Sequence, residues 1–345
     1  KLRPIHPDLM SVAHYLRCRQ SAAEVSPLAR PRALPNYVGV NPITRYDNFT
    51  IAGPGYLGGS YEPFAVLGDP NAPGFRVPNI GLANPELASR LRERVSLRHS
   101  FDALRREIDQ SGVFDSLDRF EAQALGLLTS PEAARAFDLE REDPKVRDRY
   151  GRNQWGQQCL MARRLVEAGV EIITTTFDGP LCGRVANWDD HAVNHHIFEA
   201  LQFRAPFFDQ AVSALIQDLR ERGLDRRVLV VVTGEFGRTP RISHVASSGG
   251  GQASAPAGTV QPGRDHWPRA NSMIWAGGGI TGGQLIGATD PRGEDVVERL
   301  VGPHDFLATI YHHLGIDYHN VAIPDHNGRP RPIVTHGAAI PELIG

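Results

Sequence analysis

Cysteine is scarce in this chain. Cys18, Cys159 and Cys182 stand far apart in 345 residues, which excludes a disulfide-rich framework, leaves room for one bridge at most and makes no zinc-type spacing. Charge of one sign is lacking too. With 37 basic and 39 acidic residues the net charge is −2, so nothing electrostatic favours nucleic acid as a partner. No apolar run approaches the ~20 residues that cross a bilayer, so no transmembrane segment is expected. Lysine occurs only at Lys1 and Lys145, and no function follows from that bias. What is present, 41% hydrophobic and 22% charged residues, suffices for the core of one large domain. Small molecules or other proteins are the expected partners. The chain opens on Lys1 inside a polar, Pro-containing segment, which reads as the start of a trimmed or processed product.

Along the chain the texture changes twice. Residues 1–78 are irregular and rich in Pro and Gly, with PNYVGVNP and AGPGYLGGSYEPF reading as turns around short extended pieces. Residues 84–150 read as a helical, heavily charged covering segment. Asn84 and Pro85 give a cap and a first-turn proline, and Leu87, Leu91, Val95, Phe101, Leu104 and Ile108 keep helical spacing. A second start stands at Ser130 and Pro131.

From Gly151 onward helices and strands alternate. A helix closing at Gly169 precedes the β-branched strand VEIITTTF, and a second helix carries Phe208, Val212, Leu215, Ile216 and Leu219 on one stripe. VLVVV (228–232) and SMIWAGGGI read as strands buried on both faces, and HDFLATIYHHLG as a last helix stopped at Gly315, where His312 and His313 would suit the helix dipole. Alternation of this kind predicts an α/β fold with a mostly parallel central sheet and helices on both faces, the whole of 1–345 forming one domain.

In such sheets ligands bind beyond the carboxyl ends of the strands. Three polar clusters fall there: Asp189, Asp190 and His191 after the first strand; Glu235 and Arg238 after the second; Asp265 and His266 before the third. Carboxylates and imidazoles gathered from separate loops are ligands for zinc, manganese or calcium. The plainer alternative pairs Glu235 with Arg238, lets Asp265 cap a turn and leaves the histidines in local hydrogen bonds. No H-E-x-x-H motif decides between them. His195 and His196, just inside the next helix, rank below His191 as candidate ligands.

The motifs TGEFGRTPRI, GRDHWP and AGGGI, in that order, together with NWDDH, FFDQAVSALIQDLRERGL, GPGYLGGSYEPF, DFLATIYHHLGID and NGRPRPIV, resemble the bacterial family called domain of unknown function 1501. The likeness runs from about Pro35 onward. It implies membership of the alkaline phosphatase-like superfamily: an αβα sandwich that binds one or two divalent metals and hydrolyses or transfers phosphate or sulfate esters, saccharide esters among them. On that likeness Glu235 and His266 resemble metal ligands, as do Asp189 and His191, with Asp265 beside them. Arg238 would steady the anionic substrate. The resemblance also implies an exported, periplasmic or secreted protein, with a cytoplasmic location as the alternative.

Two departures accompany the likeness. No segment matches the Gly-Gly-Pro-Ser motif that holds the family's first ligand and nucleophile region, so the chain reads as N-terminally incomplete in that respect. The Gly- and Ala-rich insertion from Ser247 to Gly263 reads either as surface padding or as a lid. Cys182 lies in CGRVA rather than Cys-x-Pro-x-Arg, which disfavours a formylglycine sulfatase. A catalytically degenerate binding or scaffold protein is the competing expectation, and a transferase or mutase using the same site is a third.

Overall fold

The computed structural model describes residues 6–24, 34–42, 45–46, 49–50, 52–78, 80, 124–178, 188–250 and 254–344. The chain is α/β and falls into two compact units: Lys1–Pro144 with Leu160–Thr176, and Lys145–Cys159 with Phe177–Gly345. Among the described residues the α-helices in chain order are α1 (Leu9–Glu24), α2 (Pro131–Phe137), α3 (Pro144–Tyr150), α4 (Gln154–Glu167), α5 (Ile197–Glu221) and α6 (Pro303–His313). None of the described helices is long and apolar enough to cross a membrane.

The first unit contains a three-stranded parallel sheet in which β1 (Tyr37–Val40) is central, flanked by β4 (Phe64–Val66) and β5 (Ile172–Thr175). A short ribbon, β2 (Arg45–Tyr46) with β3 (Phe49–Thr50), lies between β1 and β4 in sequence. A central parallel strand is covered on both faces, and all four β1 residues are buried, Val38 and Val40 completely. The extended piece expected within PNYVGVNP is this strand, and its YVGV residues are core. Of the expected covering segment, residues 84–123 lie outside the described residues. The remainder is largely helical, and Ser130 caps α2 by accepting the Ala133 N–H at 3.1 Å.

The second unit is organised by α5 and by antiparallel ribbons. Here β6 (Leu229–Val232) pairs with β11 (Ile274–Gly277), β7 (Gly237–Arg238) with β10 (His266–Trp267), and β8 (Ser243–Ala246) with β9 (Val260–Gly263). Two further ribbons, β12 (Ala288–Thr289) with β13 (Val296–Glu298) and β14 (Ala322–Pro324) with β15 (Pro330–Pro332), flank α6 in sequence. The expectation that VLVVV lies in a parallel sheet is corrected. Its partner is antiparallel, every β6 residue keeps part of its surface in solvent, and Ile274 opposite is 42% exposed. A strand is buried on both faces only where other elements pack on each side of it, and apolar content alone does not supply them. The α5 stripe is as expected, with Val212 and Leu219 buried.

Of the two α6 histidines, read as a structural pair near the helix end, His313 has a structural partner of its own. The His313 Nε2–H donates to the Leu343 carbonyl at 2.7 Å, and burial holds its pKa below the ordinary imidazole value against the raising effect of that bond. It is a half-buried structural tie rather than a cation on the helix dipole. A histidine whose folded pKa is depressed contributes stability that is complete above its unfolded value of ~6.5 and is lost as pH falls through the folded value. Urea unfolding followed from pH 7.5 to 5 is expected to weaken over that window. The slope should be shallower in His313→Gln, and an unchanged slope would contradict this role.

Candidate functional site

The site is built within the second unit on an aromatic base. Trp155 and Phe177 stack at 4.9 Å, Trp188 stacks on Trp155 at 5.7 Å, and Phe208 of α5 meets Phe177 and Trp188 edge-on. The Trp188 indole N–H donates to the Phe177 carbonyl at 2.6 Å, which fixes the residue preceding Asp189. Asp189 and Asp190 then diverge. Asp190 turns inward, 1% exposed, and meets both terminal nitrogens of the buried Arg204 guanidinium, with His195 Nδ1 at 3.6 Å. Arg204 also lies 4.2 Å over the Trp188 ring.

Asp189 turns outward to the ribbon β7–β10. Antiparallel register sets Arg238 directly opposite His266, and cross-strand neighbours lie on one face, so the two distant motifs GRTP and DHW meet there. The ladder is extended by Thr239 N–H to the Asp265 carbonyl and by Asp265 N–H to Thr239 Oγ1. Asp189 Oδ1 lies 3.0 Å from His191 Nε2, 3.0 Å from His266 Nε2 and 2.6 Å from Arg238 Nη1; the two Nε2 atoms are 3.1 Å apart. Phe236 packs on the His266 ring at 4.5 Å. Burial drives the Asp189 pKa up, but the hydrogen bonds from His266 and Arg238 and the Arg238 charge outweigh it, and the carboxyl sits below its ordinary value.

Proton counting bears on what this cluster can hold. Asp265 Oδ1 lies 2.7 Å from His191 Nδ1, and a carboxylate only accepts, so Nδ1 carries the proton and Nε2 of a neutral His191 presents a lone pair. That lone pair faces Asp189 Oδ1. A cation shared with His266 would fit the edge between them, where Asp189 already meets the Arg238 guanidinium. Two imidazole nitrogens and a carboxylate oxygen ~3 Å apart also suit ~2.0–2.1 Å bonds to one tetrahedral cation, whose ligand atoms stand ~3.4 Å apart. Asp189, His191 and His266 therefore form a candidate metal centre. Asp265 acts on it through His191, as carboxylates that orient ligating histidines do.

All of these residues fall inside a match covering residues 25–344 to the family described as Protein of unknown function (DUF1501). The chain belongs to the DUF1501 family. No curated protein and no solved structure matches it.

In this DUF1501 chain the sequence-predicted residues are distributed unevenly. Asp189, His191 and His266 converge, and Arg238 and Asp265 adjoin them. Glu235 is exposed in the bend before β7 and does not enter the cluster. Arg238 pairs with Asp189 rather than with Glu235 as the plainer sequence reading had it. His196 caps α5, its ring facing the Glu199 N–H at 3.4 Å. Arg204 and Trp188 escaped the sequence reading as supports of the site. The only available signal was an arginine on the apolar face of α5.

Proposed function

We propose that this protein is a metal-dependent hydrolase of phosphate or sulfate esters, with the αβα sandwich of the alkaline phosphatase-like class. The observation that carries the reading is the meeting of Asp189, His191 and His266 around one point beside Arg238. Asp189, His191 and His266 would hold the cation, which when bound would polarise the ester and lower the pKa of an attacking water. Asp265 keeps His191 in the tautomer whose Nε2 faces the site. Arg238 supplies a fixed guanidinium for the anionic oxygens of the substrate, and charge-assisted bonds of that kind are short and strong. His266 is 51% exposed, so the cluster is open to an incoming ester from that side.

One observation favours a second reading, a DUF1501 member that keeps the fold as a binding or scaffold protein. The Asp189 oxygen that both histidines approach is already neutralised by Arg238, and Glu235 supplies no second carboxylate. A network of that charge is complete without an ion.

Elemental analysis of protein purified without chelator, followed by titration with zinc and manganese, separates the two. The hydrolase reading expects about one divalent ion per chain, lost in Asp189→Ala and His266→Ala with the circular dichroism spectrum unchanged. It also expects turnover of a nitrophenyl phosphate or sulfate that falls ~10²–10³-fold in Arg238→Ala. Folded wild-type protein that takes up neither ion would end the hydrolase reading and leave the scaffold.

A further inference from the structure

The insertion expected to be padding or a lid ends in strand β9, which pairs with β8 just before the insertion, and β9 grips the loop that carries two of the three clustered residues. Gln261 on β9 is 1% exposed and uses both ends of its amide: Nε2 donates to the Ala192 carbonyl at 2.7 Å, and Oε1 accepts the Ala255 N–H at 2.8 Å. The same elements are joined twice more, by Ser248 N–H to the Val193 carbonyl and by Arg264 N–H to the Asp190 carbonyl, each at 2.9 Å. The carbonyls of Asp190, Ala192 and Val193 are thus all held from the segment 248–264; they flank His191 on both sides, and Asp189 immediately precedes the first of them. Beyond Gly263 the strand runs directly into Asp265 and His266. A single run of chain therefore carries one side of the cluster and holds the other.

We infer that Gln261 is a positioning residue, which fixes the loop of Asp189 and His191 at its distance from His266 although it touches none of their side chains. The inference rests on the reading of those three residues as a ligand set. Its physical basis is the cost of leaving the Ala192 carbonyl unpaired in a buried place, which the loop would avoid by moving away from β9. Nearby groups that orient ligands tune metal affinity ~10–100-fold without binding the metal themselves.

The test compares wild type with Gln261→Met, which keeps the volume and removes both polar ends, and with Ser248→Pro, which removes the donor to Val193 from an exposed position. Two quantities are read on the intact protein: the dissociation constant for zinc alone, and hydrogen exchange of the Asn194 and His195 amides against those of α5. The inference expects at least tenfold faster exchange at Asn194 and His195 in Gln261→Met, with α5 still protected, and a zinc dissociation constant raised ~10–100-fold. Unchanged exchange in the loop overturns it, and so does faster exchange with unchanged zinc affinity. Should wild type bind no zinc, the metal reading falls by itself and loop exchange decides the role of Gln261. Should Gln261→Met not fold, Ser248→Pro carries the same expectations and the same means of refutation.

Discussion

Replacing Asp190 by alanine is expected to lower the free energy of unfolding by ~3–5 kcal/mol, because it leaves the Arg204 guanidinium buried without its carboxylate. Arg204 and Asp190 are each 1% exposed, and neither charge can reach water without opening the loop at the head of α5. For a fold stable by ~5–15 kcal/mol the loss is large. It should appear in urea as a lower midpoint at nearly constant slope. The double variant Asp190→Ala with Arg204→Met removes both charges and is expected to recover part of the loss, since the penalty lies mainly in a buried charge that has lost its carboxylate. A single Asp190→Ala variant as stable as wild type would show that the pair does not anchor the site loop.

Gly263→Ala is the second large effect, and it arises from backbone geometry. A Cβ at this position would lie 2.0 Å from the Ala192 nitrogen and 2.5 Å from its Cα, and neither atom belongs to a side chain that can swing away. Strand β9 would have to leave the loop. Overpacking costs ~1–3 kcal/mol where side chains yield, and the upper end or beyond is expected here, together with loss of metal uptake under the proposed hydrolase reading. Gly282→Ala is the control. Nothing lies within 4 Å of its added Cβ, and a glycine replaced without strain is stabilising by ~0.4–1 kcal/mol. Urea midpoints for the two variants should move in opposite directions, and equal midpoints would refute the close-approach argument.

The glycines of the two motifs thereby gain a physical meaning that the sequence withheld. Gly237 of GEFGRTP has the Ala270 carbonyl oxygen 1.9 Å from where its Cβ would stand, and Gly263 of GRDHWP has Ala192. Both are points where ribbons approach other backbone too closely for any side chain. From spacing alone they were indistinguishable from turn glycines such as Gly169, which has a φ of 95° and closes α4 as expected.

Local chemistry was the readable part. The Ser130 cap, the α5 stripe, the end of α6 at Gly315 with φ of 66°, and the β-branched strand at Ile172–Thr175 all follow from interactions within a few residues, which a sequence displays directly. Asp189, His191 and His266 were legible as residue types able to hold a cation. Two things depended on distant partners. The partner of VLVVV is chosen by which strand reaches it, and an apolar run is compatible with parallel or antiparallel neighbours alike. The division of labour in the Asp189–Asp190 pair is set by successive side chains pointing opposite ways, one to the ribbon and one to Arg204 of α5.

The sequence by itself determined the helices α2, α4, α5 and α6, the strands β5, β6 and β11, and which side chains have ligand chemistry, because propensity, capping and charge are local properties. Only the tertiary structure decided that Arg238 meets Asp189 instead of Glu235, that Asp265 acts through His191, and that an insertion rich in Gly and Ala contains the buried Gln261 clamp. Each of those outcomes turns on a separation of a few ångströms between residues tens of positions apart, and such distances are fixed by strand register and close backbone approach rather than by any residue's own preference.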